Sequence, residues 1–475
     1  MKSKTAIATF WSLSDTFTNF VLKFFFAIAI TRLLTPRDYG LVAYTSLFIG
    51  VATWLSDWGF GTSLIQKKDA NNLDFSTGYF FNITISIFFF SLYYSFAPFV
   101  SRIFNEPELK DILRVVSLTL ILNALCYIHQ IKLIKGVDFK GLTVINLLSS
   151  ILSGIIGLGL AYCGFHYWAL IFQSLVGYLF RMLGLWYLVR WMPIFKFSLL
   201  SFKEQFNFGL KVFIQGLLDS IFKEIHSLII GKTYQTEALG NYSRGQRFYN
   251  LFVVQTGISV NRVLYPTMVS KNLNHEVHKE MYFKTYRLLF FMMAPLSLFL
   301  ILFSKQIILV LLTDKWILAS PYMQLYCIAG FIFLLTYFNS SSILSNNRSS
   351  LFLYIDLFQK ALIGIALIIT YRMGIRSIII GWLVAYYIYF IFYEIIMYRL
   401  GYYSFSKYKE MILILICLLP MIGFYKLSVI FISNTYILLG TNILILPILY
   451  LLLSYLLKIK SLIDMRDILF PILKK

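Results

Sequence analysis

Fourteen stretches of about 20 apolar residues follow one another along this chain, and the connections between them run to no more than about 18 residues. A stretch of that length crosses a bilayer as a helix. The candidates are 10–34, 41–65, 78–100, 112–134, 142–163, 166–189, 208–230, 248–268, 286–312, 322–344, 351–371, 375–397, 411–430 and 436–457. Apolar residues make up 59% of the chain and charged residues 13%, with a mean hydropathy of +0.76. A soluble domain carries about 25% charged residues. The ten-residue alternation of an outer-membrane barrel is missing. The expected fold class is therefore all-α, a polytopic membrane protein of about 14 transmembrane helices. With no connection long enough for a separate domain, any chemistry must happen within or beside the helices. Many of the 46 Phe and 33 Tyr lie at segment ends, where rings anchor helices at the interface.

The net charge of +21 raises nucleic acid as a partner, but the basic residues are dispersed through short loops and form no groove. They report topology instead. Loops on the N-terminal side hold 23 Lys and Arg and the opposite loops hold 13, leaving six of the 42 inside spans. The positive-inside rule then places both termini in the cytoplasm. Lys2 and Lys4 ahead of an apolar run resemble a signal peptide, but Asp15 and Lys23 interrupt the run and no cleavage site follows, so it reads as a retained span. Cys126, Cys163, Cys327 and Cys417 show neither pairing nor metal spacing and read as small core residues.

Charge inside a span costs at least about 2.5–3.5 kcal/mol and marks a functional site by default. In the seventh span Lys211, Gln215, Asp219, Lys223 and His226 fall within one third of a helix circumference. In the first, Ser12, Asp15, Thr16, Asn19 and Lys23 share a face. At an offset of 200 residues Lys23 matches Lys223, Asn19 matches Asp219, Asp15 matches Gln215 and Gly40 matches Gly240. Six spans preserve orientation, so spans one to six and seven to twelve read as parallel repeats about an axis along the membrane normal. The expected divisions are 1–200, 201–400 and 401–475, two six-helix bundles followed by two extra helices and a tail. The recurring stripe predicts a cationic cavity for an anionic substrate. Mutual neutralisation in a helix–helix contact is the alternative, since Asp219 lies four residues before Lys223. Lys23 has no acid at that spacing.

Arg181 and Arg262 lie in spans without a local acid and are candidates for binding phosphate through the guanidinium fork. Asp356 and Lys360 repeat the acid-then-base spacing. Asp57 and Glu394 are candidates for taking up a coupling H+ or Na+. No other cofactor is expected. His275, Glu276, His278 and Glu280 read as a solvated connection rather than a metal site, and no metal is expected. Phosphate-cradling loops, nucleophile elbows and zincin helices are missing from the sequence, which argues against an enzyme.

Two regions carry a family resemblance. Thr31-Arg32-Leu33-Leu34-Thr35-Pro36-Arg37-Asp38-Tyr39-Gly40-Leu41, followed by Ser56-Asp57-Trp58-Gly59-Phe60-Gly61 and Leu64-Ile65-Gln66-Lys67-Lys68-Asp69, resembles the Wzx-type flippases. These form the polysaccharide-transporter branch of the multidrug/oligosaccharidyl-lipid/polysaccharide exporter superfamily. Ala238-Leu239-Gly240-Asn241-Tyr242-Ser243-Arg244 and Arg262-Val263-Leu264-Tyr265-Pro266 resemble that family's second half. The resemblance implies two six-helix bundles around a cavity in the bacterial inner membrane. It implies an undecaprenyl-pyrophosphate-linked oligosaccharide as substrate, moved to the periplasmic leaflet for O-antigen, capsule or exopolysaccharide assembly. A polysaccharide polymerase and a chain-length regulator are the implied partners. The alternatives are a drug or metabolite antiporter of the same superfamily, for which an acidic cavity is expected, and a membrane-embedded glycan polymerase or ligase, for which a large periplasmic loop is expected.

Overall fold

The computed structural model describes residues 2–57, 60–257, 275–345, 348–402 and 405–465. Among them every regular element is helical, because in hydrocarbon an unpaired backbone amide costs several kcal/mol and a helix pairs its own. The elements are α1 (Lys2–Leu33), α2 (Pro36–Asp57), α3 (Phe60–Gln66), α4 (Asn72–Phe104), α5 (Leu109–Val116), α6 (Leu118–Lys135), α7 (Phe139–Tyr162), α8 (Tyr167–Val189), α9 (Leu199–Thr233) and α10 (Thr236–Tyr249). There follow α11 (His275–Leu302), α12 (Ser304–Leu311), α13 (Ala319–Ile328), α14 (Gly330–Ser345), α15 (Ser349–Thr370), α16 (Ile375–Arg399), α17 (Phe405–Phe431) and α18 (Thr435–Leu456). The protein is an all-α, multi-pass membrane protein.

Nine described helices are long and apolar enough to cross a bilayer, and α13 with α14, bent by 46°, make a tenth. The expected fourteen is not reached among the described residues. Segments 10–34, 41–65, 208–230 and 248–268 account for the difference, and each contains residues whose side chains or backbone lie outside the description. α9 also carries Asp219, Lys223 and Glu224 within six residues, too much charge for a lipid-facing span.

The chain divides into two compact units, Met1–Gly240 and Asn241–Lys475. In the first, α7 and α8 form a hairpin, α1 lies on α7, α4 packs on α6, and α9 packs along α2. Small residues let these helices approach. Phe26 of α1 lies over Gly154 of α7, and the Tyr44 ring of α2 covers Gly231 of α9. The link between α8 and α9 is pinned to the start of α4. The Ile194 amide donates to Ser76 Oγ at 2.9 Å and the Ser198 amide to Thr77 Oγ1 at 3.2 Å. Beside it Lys67 bridges Asp74 at 3.0 Å and Glu204 at 2.9 Å. The Glu204 carboxylate, reinforced by Asp74, holds the Lys67 ammonium above the usual lysine range against the opposing effect of burial.

In the second unit α15 and α16 form the corresponding hairpin, while α11 packs against α13, α14 and α17. α5 breaks into α6 at Ser117 as α13 breaks into α14 at Ala329. The added helices α17 and α18 are joined by Ser428 and Asn442, whose amide donates to Ser428 Oγ at 3.1 Å.

Two local expectations change. His275 begins α11 instead of lying in a loop, since His-Glu-Val-His-Lys-Glu is a good helix-forming run and extends the span beyond the bilayer. Among the described residues no group of His, Cys, Asp or Glu is placed to hold a metal. Cys126, Cys327 and Cys417 are buried as expected, whereas Cys163 is exposed because it caps the end of α7 beside Tyr162.

Candidate functional site

The motif Thr35-Pro36-Arg37-Asp38-Tyr39-Gly40 is a helix start in which each residue has a task. Thr35 and Asp38 form a reciprocal cap. The Asp38 amide donates to Thr35 Oγ1 at 3.3 Å and the Thr35 amide to Asp38 Oδ2 at 2.9 Å. Pro36 occupies the first helical position, where no amide is needed. The other Asp38 oxygen accepts the Tyr167 amide at 3.1 Å, so one buried carboxylate fixes the starts of both α2 and α8. The Tyr39 hydroxyl meets Thr31 Oγ1 at 2.8 Å and closes the corner back onto α1.

Gly40 and Gly240 explain why that corner exists twice. A Cβ on Gly40 would drive into the backbone carbonyl oxygen of Thr236, and a Cβ on Gly240 into that of Pro36. Exchanging each residue for its counterpart 200 positions away turns one contact into the other, so the α1–α2 and α9–α10 corners touch as equivalent surfaces. The helix ends agree: α1 ends at Leu33 and α9 at Thr233, α2 starts at Pro36 and α10 at Thr236.

Polar groups tie the joint. The Tyr44 hydroxyl donates to the Gly231 carbonyl at 2.8 Å. Ser46 Oγ donates to Glu224 at 2.9 Å. The Thr236 hydroxyl donates to Glu106, which with Glu108 also pairs Arg37, at 3.5 and 3.0 Å. Apart from the Gly40–Gly240 match, periodicity pointed to none of these partners. Their contacts span 69–192 residues of sequence, and only a repeat search of the flanks would have led to Thr236.

Behind this joint the two stripes present their lysines. Lys23 of α1 and Lys223 of α9 are both exposed, at matching distances from their helix ends, and Asp219 is exposed one turn before Lys223. The stripes are not uniform. His226 is buried, 5% exposed, where the end of α9 closes onto α2. Asn19 accepts a hydrogen bond from Ser150 of α7 at 2.9 Å, placing that part of the first stripe in a helix contact. The side chains of Asp15, Asp57, Lys211 and Gln215 and the whole of Arg262 lie outside the described residues.

Arg181 sits on α8 and donates to Gln130 Oε1 at 2.6 Å, while its buried Nε has no hydrogen-bond partner. Lys360 is paired with Asp356 along α15. Glu394 is enclosed on every side. One oxygen accepts Tyr286 Oη at 2.9 Å and Asn339 Nδ2 at 3.0 Å; the other accepts Lys407 Nζ at 2.6 Å and Tyr408 Oη at 2.7 Å. Lys407 is 0% exposed and lies 4.1 Å above the Tyr286 ring. The structure therefore brings Lys23, Asp219 and Lys223 into accessible positions, and holds Glu394, Lys360 and Arg181 in local pairs.

A family model described as polysaccharide biosynthesis protein matches residues 29–321, well over half of the chain. The teichuronic acid biosynthesis protein TuaB of Bacillus subtilis (strain 168) is 26% identical over 334 residues, 69% of this chain and 68% of that protein. The lipopolysaccharide biosynthesis protein WzxC of Escherichia coli (strain K12) is 22% identical over 341 residues, 70% of this chain and 68% of that one. Among solved structures, the lipid II flippase MurJ in an inward closed conformation superposes with a TM-score of 0.78 at 16% identity, covering 94% of this chain and 98% of that chain. An inward-facing multidrug resistance MATE family transporter gives 0.60 at 16%, covering 81% and 96%. At those identities the likeness is one of fold. The chain belongs to the family described as polysaccharide biosynthesis protein.

Proposed function

We propose that this protein is a flippase that moves an undecaprenyl-pyrophosphate-linked oligosaccharide from the cytoplasmic to the periplasmic leaflet. The observation that carries the reading is the pair Lys23 and Lys223, exposed at equivalent positions of the repeated helices α1 and α9. Moving a pyrophosphate and its sugars past hydrocarbon requires something to replace their hydration, and two ammonium groups on a polar face do so. The interleaved Asp219 tempers the attraction, so that the headgroup can leave. The polyprenyl chain stays in lipid throughout. With both termini in the cytoplasm, the Gly40–Gly240 joint lies at the periplasmic end of α1 and α9, and rocking of the repeats would part it. Coupling to H+ or Na+ falls to Asp219 in this reading, because Glu394 is saturated by four donors.

The test is display of the cell's surface polysaccharide in Lys23→Ala and Lys223→Ala strains, with membrane insertion monitored in parallel. Each variant is expected to reduce display about tenfold, equivalent to 1.4 kcal/mol, while inserting normally. Wild-type display in both would reject the cationic-cavity reading.

A further inference from the structure

Between α8 and α9 the chain runs without regular structure from Arg190 to Ser198 and leaves large apolar side chains uncovered. Phe195 is 92% exposed, Leu200 72% and Met192 70%. So much apolar surface on a short segment marks an interaction face. The segment is nevertheless fixed. Besides the Ser76 and Thr77 contacts described above, His129 Nε2 of α6 donates to the Trp191 carbonyl at 3.1 Å. The Trp191 ring stands edge-on to Phe75 and Tyr79 of α4, with centroids 6.4 and 6.0 Å apart. The Phe195 ring lies 5.6 Å from that of Phe80. This strap holds its exposed side chains out from a rigid base.

Its anchors set its depth. Ser76 lies four residues into α4, which starts at Asn72, and His129 six residues before α6 ends at Lys135. At 1.5 Å per residue those points are about 6 and 9 Å from the helix ends. α4, with 33 residues, is about 50 Å long, and a bilayer with its headgroups measures about 40–45 Å. The strap thus runs at headgroup level. Charge then selects the occupant. From Arg190 to Lys203 the charged residues are Arg190, Lys196 and Lys203, all basic and all exposed. None of the three pairs with a carboxylate among the described residues. Glu204, the first acid after them, is taken by Lys67 at 2.9 Å. Arg190 lies 5.6 Å over the exposed ring of Tyr187, so the patch continues onto the outer face of α8. Apolar and basic side chains interleaved at this depth match the acyl boundary and phosphates of an anionic bilayer. A neutral lipid would leave the three cations without a counter-charge, and a nucleic acid would leave the apolar side chains uncovered.

We infer that residues 190–203 form an interfacial docking surface for anionic phospholipid, with the apolar side chains at the top of the acyl layer and the three cations on headgroup phosphates. The inference rests on the membrane class and is independent of the flippase reading. The test uses the full chain in nanodiscs, with a fluorescent probe on Phe195→Cys in a Cys163→Ser background; the other three cysteines are buried. Acyl-brominated phosphatidylglycerol is expected to quench the probe about fivefold more than acyl-brominated phosphatidylcholine at the same mole fraction, the enrichment that one basic side chain gives at a membrane surface. The excess should vanish in Arg190→Gln/Lys196→Gln/Lys203→Gln, whose exposed positions leave the melting temperature unchanged. It should also shrink at about 1 M salt, where the Debye length falls to about 3 Å. Equal quenching by the two lipids overturns the inference in favour of bulk lipid. A probe reached by aqueous iodide and by neither lipid places the strap in water. One shielded from iodide and from both lipids is covered by a second copy or another protein. Each of these last two results also overturns the inference.

Discussion

Two lysines of this protein, Lys407 on α17 and Lys223 on α9, have opposite surroundings. Lys407 is 0% exposed, ion-paired to Glu394 and ringed by Tyr282, Tyr286 and Tyr408. Lys223 stands exposed on α9. By sequence Lys223 is the cation inside an apolar span and Lys407 a loop residue ahead of the 411–430 span, while Glu394 reads as a coupling group. The difference is whether neighbouring elements close around the charge. Around Glu394 three helices contribute four donors, so the carboxylate has no capacity left for a ligand; its role is to hold α17 to α11, α14 and α16. A second node, Arg287 with Glu410 and Asp464, holds the same region. A charge in a membrane helix is thus either a fastening or a site, and its partners decide which.

The sharpest way to break this contrast is to remove one member of the closed pair. Lys407→Met leaves the Glu394 carboxylate buried without its counter-charge, a loss of about 3–5 kcal/mol, seen as a large fall in the melting temperature of purified protein. The double variant Lys407→Met/Glu394→Gln should recover most of it. Failure to recover would mean that Lys407 does more than balance charge.

Next comes the joint. Gly240→Ala forces a methyl into the Pro36 carbonyl, an overpacking of about 1–3 kcal/mol, and Gly40→Ala should cost the same because the contact is reciprocal. Thermal melts giving clearly unequal losses would contradict the equivalence of the two corners.

Asp38→Ala removes the reciprocal cap of α2 and the acceptor of the Tyr167 amide, about 1 kcal/mol for the cap. Restoration by Asn in the same melts would assign the effect to hydrogen bonding rather than charge. The smallest shift belongs to the exposed lysines. Lys23→Ala and Lys223→Ala should move stability by no more than about 0.5 kcal/mol even as export falls. A loss as large as that of Lys407→Met would place them among the fastenings.

Much of the scaffold was legible because hydropathy is local: an apolar run of about 20 residues becomes a spanning helix wherever it sits. The 200-residue offset was legible for the same reason, and helix ends at Leu33 and Thr233 follow it. The breaks were less so. They fall at Ser117, Phe303 and Ala329, while Pro98, Pro295, Pro420 and Pro447 lie inside unbroken helices. In a bundle, neighbouring groups can satisfy the carbonyl a proline frees, so proline alone does not mark a break. The polar stripe was half legible. Helical period placed Asp219, Lys223 and His226 on one face, but α9 closes onto α2 near its end and covers His226 alone.

Sequence by itself determined the membrane class, the repeat and the identity of the charges, since each depends on residues near one another in the chain or on a fixed offset. Tertiary structure alone decided which charges are accessible. Accessibility depends on which distant helices supply a partner, as Asn339 and Lys407 do for Glu394, and on how closely two glycines let the corners meet.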